Sequence, residues 1–598
     1  MNKDELKIRF QEVSQILLDE LNGDGFWTGE LSSSAIGVAV AIAALHFHQP
    51  RENKKEIYLS LQWLKNNINP DGSYGDTPES PGNISTSLLV YAATNLYAKD
   101  NESLKPIQRQ IATYLRQNNI DINSDKVADA ILAHYQKDYT FSVPILTMCA
   151  LCGIPENDGF RKIPQLPFEL ALMPQKFYRL LKLSVVSYAI PALIAVGIVI
   201  LKNKKSGSIA RWIRKSSEKK ALNILQKSMP ESGGFLESIP LTAFVSLSLI
   251  NAGYGTLDVV NKGIAFLKRT QRKDGGFPID VDLSTWVTTL SVKALGERKN
   301  EVLNSAQQKQ LVEHLKSVQN KTIHPFNGTL PGGWGWTNYP GSVPDGDDTP
   351  GAILALLKLA PHHSIKDVVL AGGEWLVKLQ NSDGGFPTFS KGWGKLPFDQ
   401  SCADLTGHAF LAIASLLANL SNEISASQKR RFVKSLKSSS HYLQKHQRED
   451  GSWLPLWFGN QHTKNHENPV YGTARVLTYL NDSLPFIEES SELLRRVITM
   501  IALGEEFLVG AQNKDGSWGG DKNINGTIEE TSLTISALQK SEFEENVSFA
   551  FNWLDNSFKN GGLKSAPIGL YFASLWYDEK MYPITAYLEA LVRYLKRY

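Results

Sequence analysis

An all-α protein built as two (α/α) barrels is the fold class that three observations predict. A short turn unit recurs along nearly the whole chain, apolar helical periodicity fills the stretches between its copies, and long strand-like alternation is scarce. The 598 residues are enough for several ordinary domains with large cores, and 42% hydrophobic against 21% charged residues is an ordinary globular balance.

The turn unit reads aromatic-Leu, a few residues, Gln, then Asp-Gly or Gly-Gly and an aromatic. Its copies run from Trp63-Leu64 to Asp71-Gly72-Ser73-Tyr74, and from Phe266-Leu267 through Gln271 to Phe277. Others run from Trp375-Leu376 through Gln380 to Phe386, from Tyr442-Leu443 through Gln447 to Trp453, and from Phe507-Leu508 through Gln512 to Trp518. The aromatic-Leu pair closes a helix, and Asp-Gly gives the freedom to reverse the chain. Gln ties helix end to turn, and the last aromatic is expected to stack against that Gln. Helical patterns such as 85–98, 242–252, 406–420 and 531–539 lie between the copies. Helix pairs closed by reinforced turns make a toroid with a central funnel. The irregular Gly/Pro-rich stretch 325–350 between two groups of repeats is where a functional loop is expected.

Charge and cysteine usage narrow the function. A net charge of +3 is too mild for a nucleic-acid partner. Three cysteines make no disulfide framework and suit a reducing cytosol, and Cys149 and Cys152 lie in an apolar run that reads as core. The charged start, Met1-Asn2-Lys3-Asp4-Glu5, is unlike a signal peptide. Residues 184–201 form an uncharged apolar run of marginal spanning length. With no second span, a buried helix or a membrane-dipping surface is the expectation. The following stretch carries Arg211, Arg214, Lys215, Lys219 and Lys220 with Ile209, Trp212 and Ile213 interleaved. It reads either as an interfacial helix on anionic lipid or as a solvated amphipathic helix.

The chemistry centres on Asp345-Gly346-Asp347-Asp348-Thr349, which follows the loop Gly332-Gly333-Trp334-Gly335-Trp336 and opens an apolar helical run. Three carboxylates in four positions cannot all ionise cheaply if buried, so at least one keeps a proton near neutrality. The competing reading is a helix cap at Asp348 or Thr349 with surplus acid at the positive helix end. Asp404-Leu405-Thr406-Gly407-His408 opens a further helix, and a His beside a carboxylate could tune it. Many aromatics are available to face a cation. Phosphate-binding loops, H-E-x-x-H and Gly-x-Ser-x-Gly are absent.

The Asp-x-Asp-Asp-Thr run and the repeated Gln/aromatic turns together resemble the squalene–hopene cyclases, class II terpene cyclases with QW repeats. The resemblance covers nearly the whole length and implies the paired βγ barrel architecture. It divides the chain into 1–20, an N-terminal segment packing on the catalytic barrel; 21–281, an inserted barrel; and 282–598, the catalytic barrel. It implies that Asp347 is the acid that protonates a terminal double bond, that Asp345 and Asp348 orient its proton, and that His408 is its partner. Trp286, Trp336, Phe389, Trp457 and Tyr471 match pocket aromatics of the family. The C-terminal cluster Tyr571, Phe572, Trp576 and Tyr577 resembles its terminal pocket aromatics. No metal or organic cofactor is implied, because a proton starts the reaction. The implied partners are a lipophilic polyprenyl substrate and a membrane surface, from a cytoplasmic, peripheral position, with a homodimer as the assembly to test.

The chain departs from the family pattern in an insertion at 458–469 and in Val287, where an acid usually follows the pocket tryptophan. A pocket tryptophan of the first barrel is also replaced near Ser184. The substrate therefore stays open between a squalene-like chain, giving a hopanoid-type triterpene, and a prenylated arene, giving a meroterpenoid. Two other classes stand beside the cyclase. One is a protein prenyltransferase β-subunit-like zinc enzyme using Cys402, Asp404 and His408. The other is a barrel that binds prenyl chains without turnover.

Overall fold

The computed structural model describes residues 3–135, 138–156, 158–173, 190–204, 209–389, 399–488, 491–570 and 575–596. The fold is all-α, with two (α/α) barrels and one small sheet. In the larger barrel the nearly all-buried helices pack in a closed ring. Ala403–Asn419 meets Pro469–Ser483, which meets Ile528–Ala537, then Met581–Leu595, Ser284–Leu295, Asp348–Leu359, and Ala403–Asn419 again. Outside them lie helices with a single buried stripe, such as Ala426–His446 and Glu492–Gly510. A helix apolar all round must be enclosed, whereas a striped helix can face water, so the two kinds sort into inner and outer layers.

The second barrel repeats the design, with Ala35–His48, Ile84–Ala98, Tyr139–Leu151, Ile190–Asn203 and Ile239–Leu249 packed in a ring. Each barrel has its own hydrophobic core. The N-terminal helix Lys3–Asp19 packs on Met581–Leu595, and Phe26, Trp27 and Leu31 belong to the same core as that helix.

The recurring turns are built alike. Gly451 and Gly516 take φ of 87° and 93°, which only glycine adopts freely, and each Asp carboxylate accepts the amide two residues on. Gln447 donates to the turn carbonyl of Gly451 and to Met500 of the next outer helix, and Gln512 does the same with Gly516 and Asn546. The Trp453 and Trp518 rings are fully buried and their indole N–H groups donate to the Leu443 and Leu508 carbonyls, 2.9 and 2.7 Å away. The ring thus caps an open helix end while burying area worth about 3 kcal/mol.

Of the apolar run 184–201, residues 184–189 lie outside the described residues. The rest is the buried helix Ile190–Asn203, and no described helix is long and apolar enough to cross a membrane. Cys149 and Cys152 are buried in the core. The basic helix Ile209–Lys227 carries Ile209 and Trp212 at 81% and 72% exposure.

Candidate active site

The acidic run turns into the helix Asp348–Leu359 at the edge of an apolar cavity of about 230 Å3. Asp345 organises the turn. One of its carboxyl oxygens accepts the amides of both Asp347 and Asp348 at 2.8 Å. It therefore caps the helix, a role expected of Asp348 or Thr349. Thr349 instead accepts the Trp334 amide at 3.0 Å, tying the glycine-rich loop to the helix start. Gly346 passes so close to the Pro387 carbonyl that a Cβ would sit 2.4 Å from it, so only glycine fits.

All three aspartates line the cavity, and Asp347 is the most open of them, its side chain 17% exposed where Asp345 and Asp348 are buried. Burial first, then the neighbouring Asp347, pushes Asp345 up to about 7, and burial with the adjacent Asp345 charge holds Asp348 well above the carboxylate range. The two carboxyls hydrogen-bond each other, which requires a proton between them.

His408 Nδ1 lies 2.6 Å from an Asp347 oxygen. Its ring stacks on Tyr479, centroids 4.5 Å apart, and meets the Trp286 ring at 6.2 Å. Burial lowers the His408 pKa, and the bond to Asp347 works against that. Behind it a polar cavity of about 910 Å3 is lined by Lys293, Glu589 and Arg593, among others. Cys402 pairs with Asp404 while His408 turns to Asp347, so these three side chains do not converge on one point. Among the described residues no group of three metal-ligating side chains is assembled.

The cavity wall is aromatic. Trp336, Phe389 and Trp457 form a run with centroid spacings of 5.8 and 5.7 Å, and Trp286 adjoins it. The Trp457 indole donates to Thr388, which fixes its face.

Two expected wall residues lie elsewhere. The insertion forms the strand Phe458–Gly459, which pairs with Ile568–Leu570, itself paired with Leu575–Tyr577. Phe458 thereby takes the wall position, and Tyr471 sits behind it at 4.8 Å, facing a cleft of about 40 Å3. Strand alternation turns Leu575 and Tyr577 into the cavity and Trp576 away, its ring against His466 and its amide on Asp76. Tyr571 and Phe572 lie outside the described residues.

Sequence reasoning missed three further residues. Phe458 and Asp280 line the cavity. Arg475 is buried at 4% exposure, with its guanidinium 5.7, 5.9 and 5.2 Å from the rings of Trp286, Tyr471 and Tyr479.

Comparison with known proteins places the chain in a family. The squalene-hopene cyclase N-terminal domain matches residues 10–111 and the corresponding C-terminal domain residues 283–535. The prenyltransferase alpha-alpha toroid domain matches 169–320. Enfumafungin synthase of Hormonema carpetanum is 23% identical, over 92% of this chain and 45% of the synthase, so the chain spans about half the length of that relative. A squalene hopane cyclase of Aspergillus fumigatus is 23% identical, over 84% of this chain and 76% of its own length. A type II terpene cyclase from Scytonema aligns at 16% identity with a TM-score of 0.37, over 52% of this chain and 88% of that one. With both cyclase domains matched over more than half of its residues, the chain belongs to the squalene–hopene cyclase family.

Proposed function

We propose that the protein is a class II terpene cyclase, in which Asp347 protonates the terminal alkene of a polyprenyl chain and the cation passes along the chain as rings close. The observation that carries this reading is the Asp347 carboxyl, hydrogen-bonded to a histidine, on a cavity walled mainly by aromatic and aliphatic side chains. Asp345 and Asp348 fix the loop and share a proton beside the acid. His408 holds one Asp347 oxygen, leaving the other for the substrate. Trp286, Trp336, Phe389 and Trp457 offer ring faces to each cation, worth about 2 kcal/mol per desolvated contact. Excluding water keeps the cation from early capture. Residues 282–598 would form the catalytic barrel and 21–281 the inserted one.

Two substrate classes fit: a squalene-like chain or a prenylated arene. Purified protein given squalene and a geranylgeranylated phenol, with products read by mass spectrometry, is expected to cyclise one of them. Conversion of neither would contradict the reading.

A lipophilic substrate also calls for a membrane source. The exposed Ile209, Trp212 and Ile213, with Lys215, Lys219 and Lys220 exposed on the same helix, offer a surface suited to anionic lipid, while Arg211 and Arg214 are engaged within the protein. The protein is expected to float with phosphatidylserine liposomes and Trp212→Glu to remain in the lower fraction. Equal flotation of both would reject this face.

A further inference from the structure

A cyclisation that is a net isomerisation must give up one proton for each proton received. Asp347 supplies the first, and its electron-pair partner is the terminal alkene, whose π pair forms the new C–H bond. At the far end of the cascade a C–H bond beside the last cation breaks. Its electron pair becomes the double bond of the product, and the proton needs an acceptor. If an oxygen nucleophile closes the final bond instead, the O–H pair stays on oxygen and the same proton needs the same acceptor.

The described cavity wall carries six ionisable side chains: Asp280, Asp345, Asp347, Asp348, Tyr577 and Tyr582. Asp345 is committed to two backbone amides and to its proton shared with Asp348. The phenols of Tyr577 and Tyr582 are neutral, poor proton acceptors, and burial pushes both further up. Asp347 starts the reaction at one end. Only Asp280 remains.

Its placement is specific. Residues 279–281 run antiparallel to 237–239, the Ile239 amide donating to Ile279 and the Val281 amide to Glu237, at 3.0 and 3.1 Å. These two bonds pin the backbone on either side of Asp280. Its carboxyl faces the cavity with no hydrogen bond or ion pair among the described residues. No cation offsets it either: its charged neighbours are Glu237 and Asp282, both acids. A carboxyl pointed at an apolar cavity without a partner is costly for the fold and is what a base requires.

Resting on the cyclase reading above, we propose that Asp280 is the base that receives the proton released at the end of the cascade. Burial, then the charges of Glu237 and Asp282, raise it to about 7, which makes it a stronger base than an ordinary carboxylate while leaving it ionised in part at neutral pH. Tyr577 lines the same cavity and lies in the field of both Asp280 and Asp347.

The test compares wild type, D280N, D280S, D280E and D347N on whichever of squalene or the geranylgeranylated phenol the wild type converts. D280N and D280S are expected to consume substrate while the share of the wild-type product falls at least ~10-fold, replaced by isomeric alkenes or water-captured alcohols. D280E is expected to restore the wild-type product. The D280N unfolding midpoint is expected to hold or rise, because an unpartnered carboxyl has been removed. A D280N protein that forms the wild-type product in unchanged share overturns the assignment, and if D347N is inactive in the same assay the cyclase reading survives that result. A wild type that converts neither substrate overturns the cyclase reading and this inference with it.

Discussion

Asp347→Asn is expected to lower kcat by ~10⁴-fold or more, at the upper end of what a positioned acid contributes and with no second route to the first cation. The amide matches the carboxyl in shape but carries no transferable proton. Asp345 holds the loop through the backbone amides of residues 347 and 348, whatever side chain follows. The unfolding midpoint is therefore expected to stay near that of the wild type, and kcat measured beside a thermal melt separates lost chemistry from lost fold. Retained turnover in a well-folded variant would show that the proton comes from elsewhere.

Asp345→Ala is expected to have the next largest effect, on fold and chemistry together. It leaves two amides at the buried turn without their acceptor, a loss of about 2–4 kcal/mol. It also frees the acid-bearing turn, so kcat is expected to fall by ~10²-fold even below the unfolding temperature. Asp345→Asn keeps an acceptor oxygen and is expected to recover most of the stability, which urea unfolding of the two variants reads directly.

The same residue sets a pH dependence. Burial raises Asp345 from 3.8 to about 7, so the folded chain binds this proton more tightly than the unfolded chain. Its contribution to stability is full below 3.8 and is lost as pH rises to about 7. Above that, the buried Asp345–Asp348 pair gains charge at the turn, so the unfolding midpoint is expected to fall on the alkaline side and Asp345→Asn to reduce that fall, which thermal melts across pH read directly.

The parts of this molecule that could be read in the sequence are those where local chemistry dictates local structure. The Asp-Gly turns needed positive φ at glycine and a tie between helices, and Gly451, Gly516, Gln447 and Gln512 supply both. The apolar helical patterns at 406–420 and 531–539 fall on the inner helices Ala403–Asn419 and Ile528–Ala537. The crowding of Asp345, Asp347 and Asp348 announced a raised pKa, and the structure puts it on the two buried members.

What could not be read was set by tertiary pairing. Whether Trp576 or Tyr577 faces the cavity depends on the register of Ile568–Leu570 with Leu575–Tyr577, and a shift of one residue exchanges them. Tyr471 was displaced from the wall by Phe458, which the insertion brings in on a strand of two residues, too short to leave a pattern. Asp280 carried no signal in the sequence because its place on the cavity wall depends on pairing with residues 237–239, some forty positions earlier.

The most direct measurement is cyclisation in D2O by enzyme equilibrated in that solvent, with the label located in the product by NMR and mass spectrometry. The expected product carries one deuterium, on the carbon that had ended the polyprenyl chain, and none forms with Asp347→Asn. A cyclised product without deuterium at that carbon would mean that the reaction does not begin with proton transfer from the enzyme, and would contradict the assignment of Asp347 as the initiating acid.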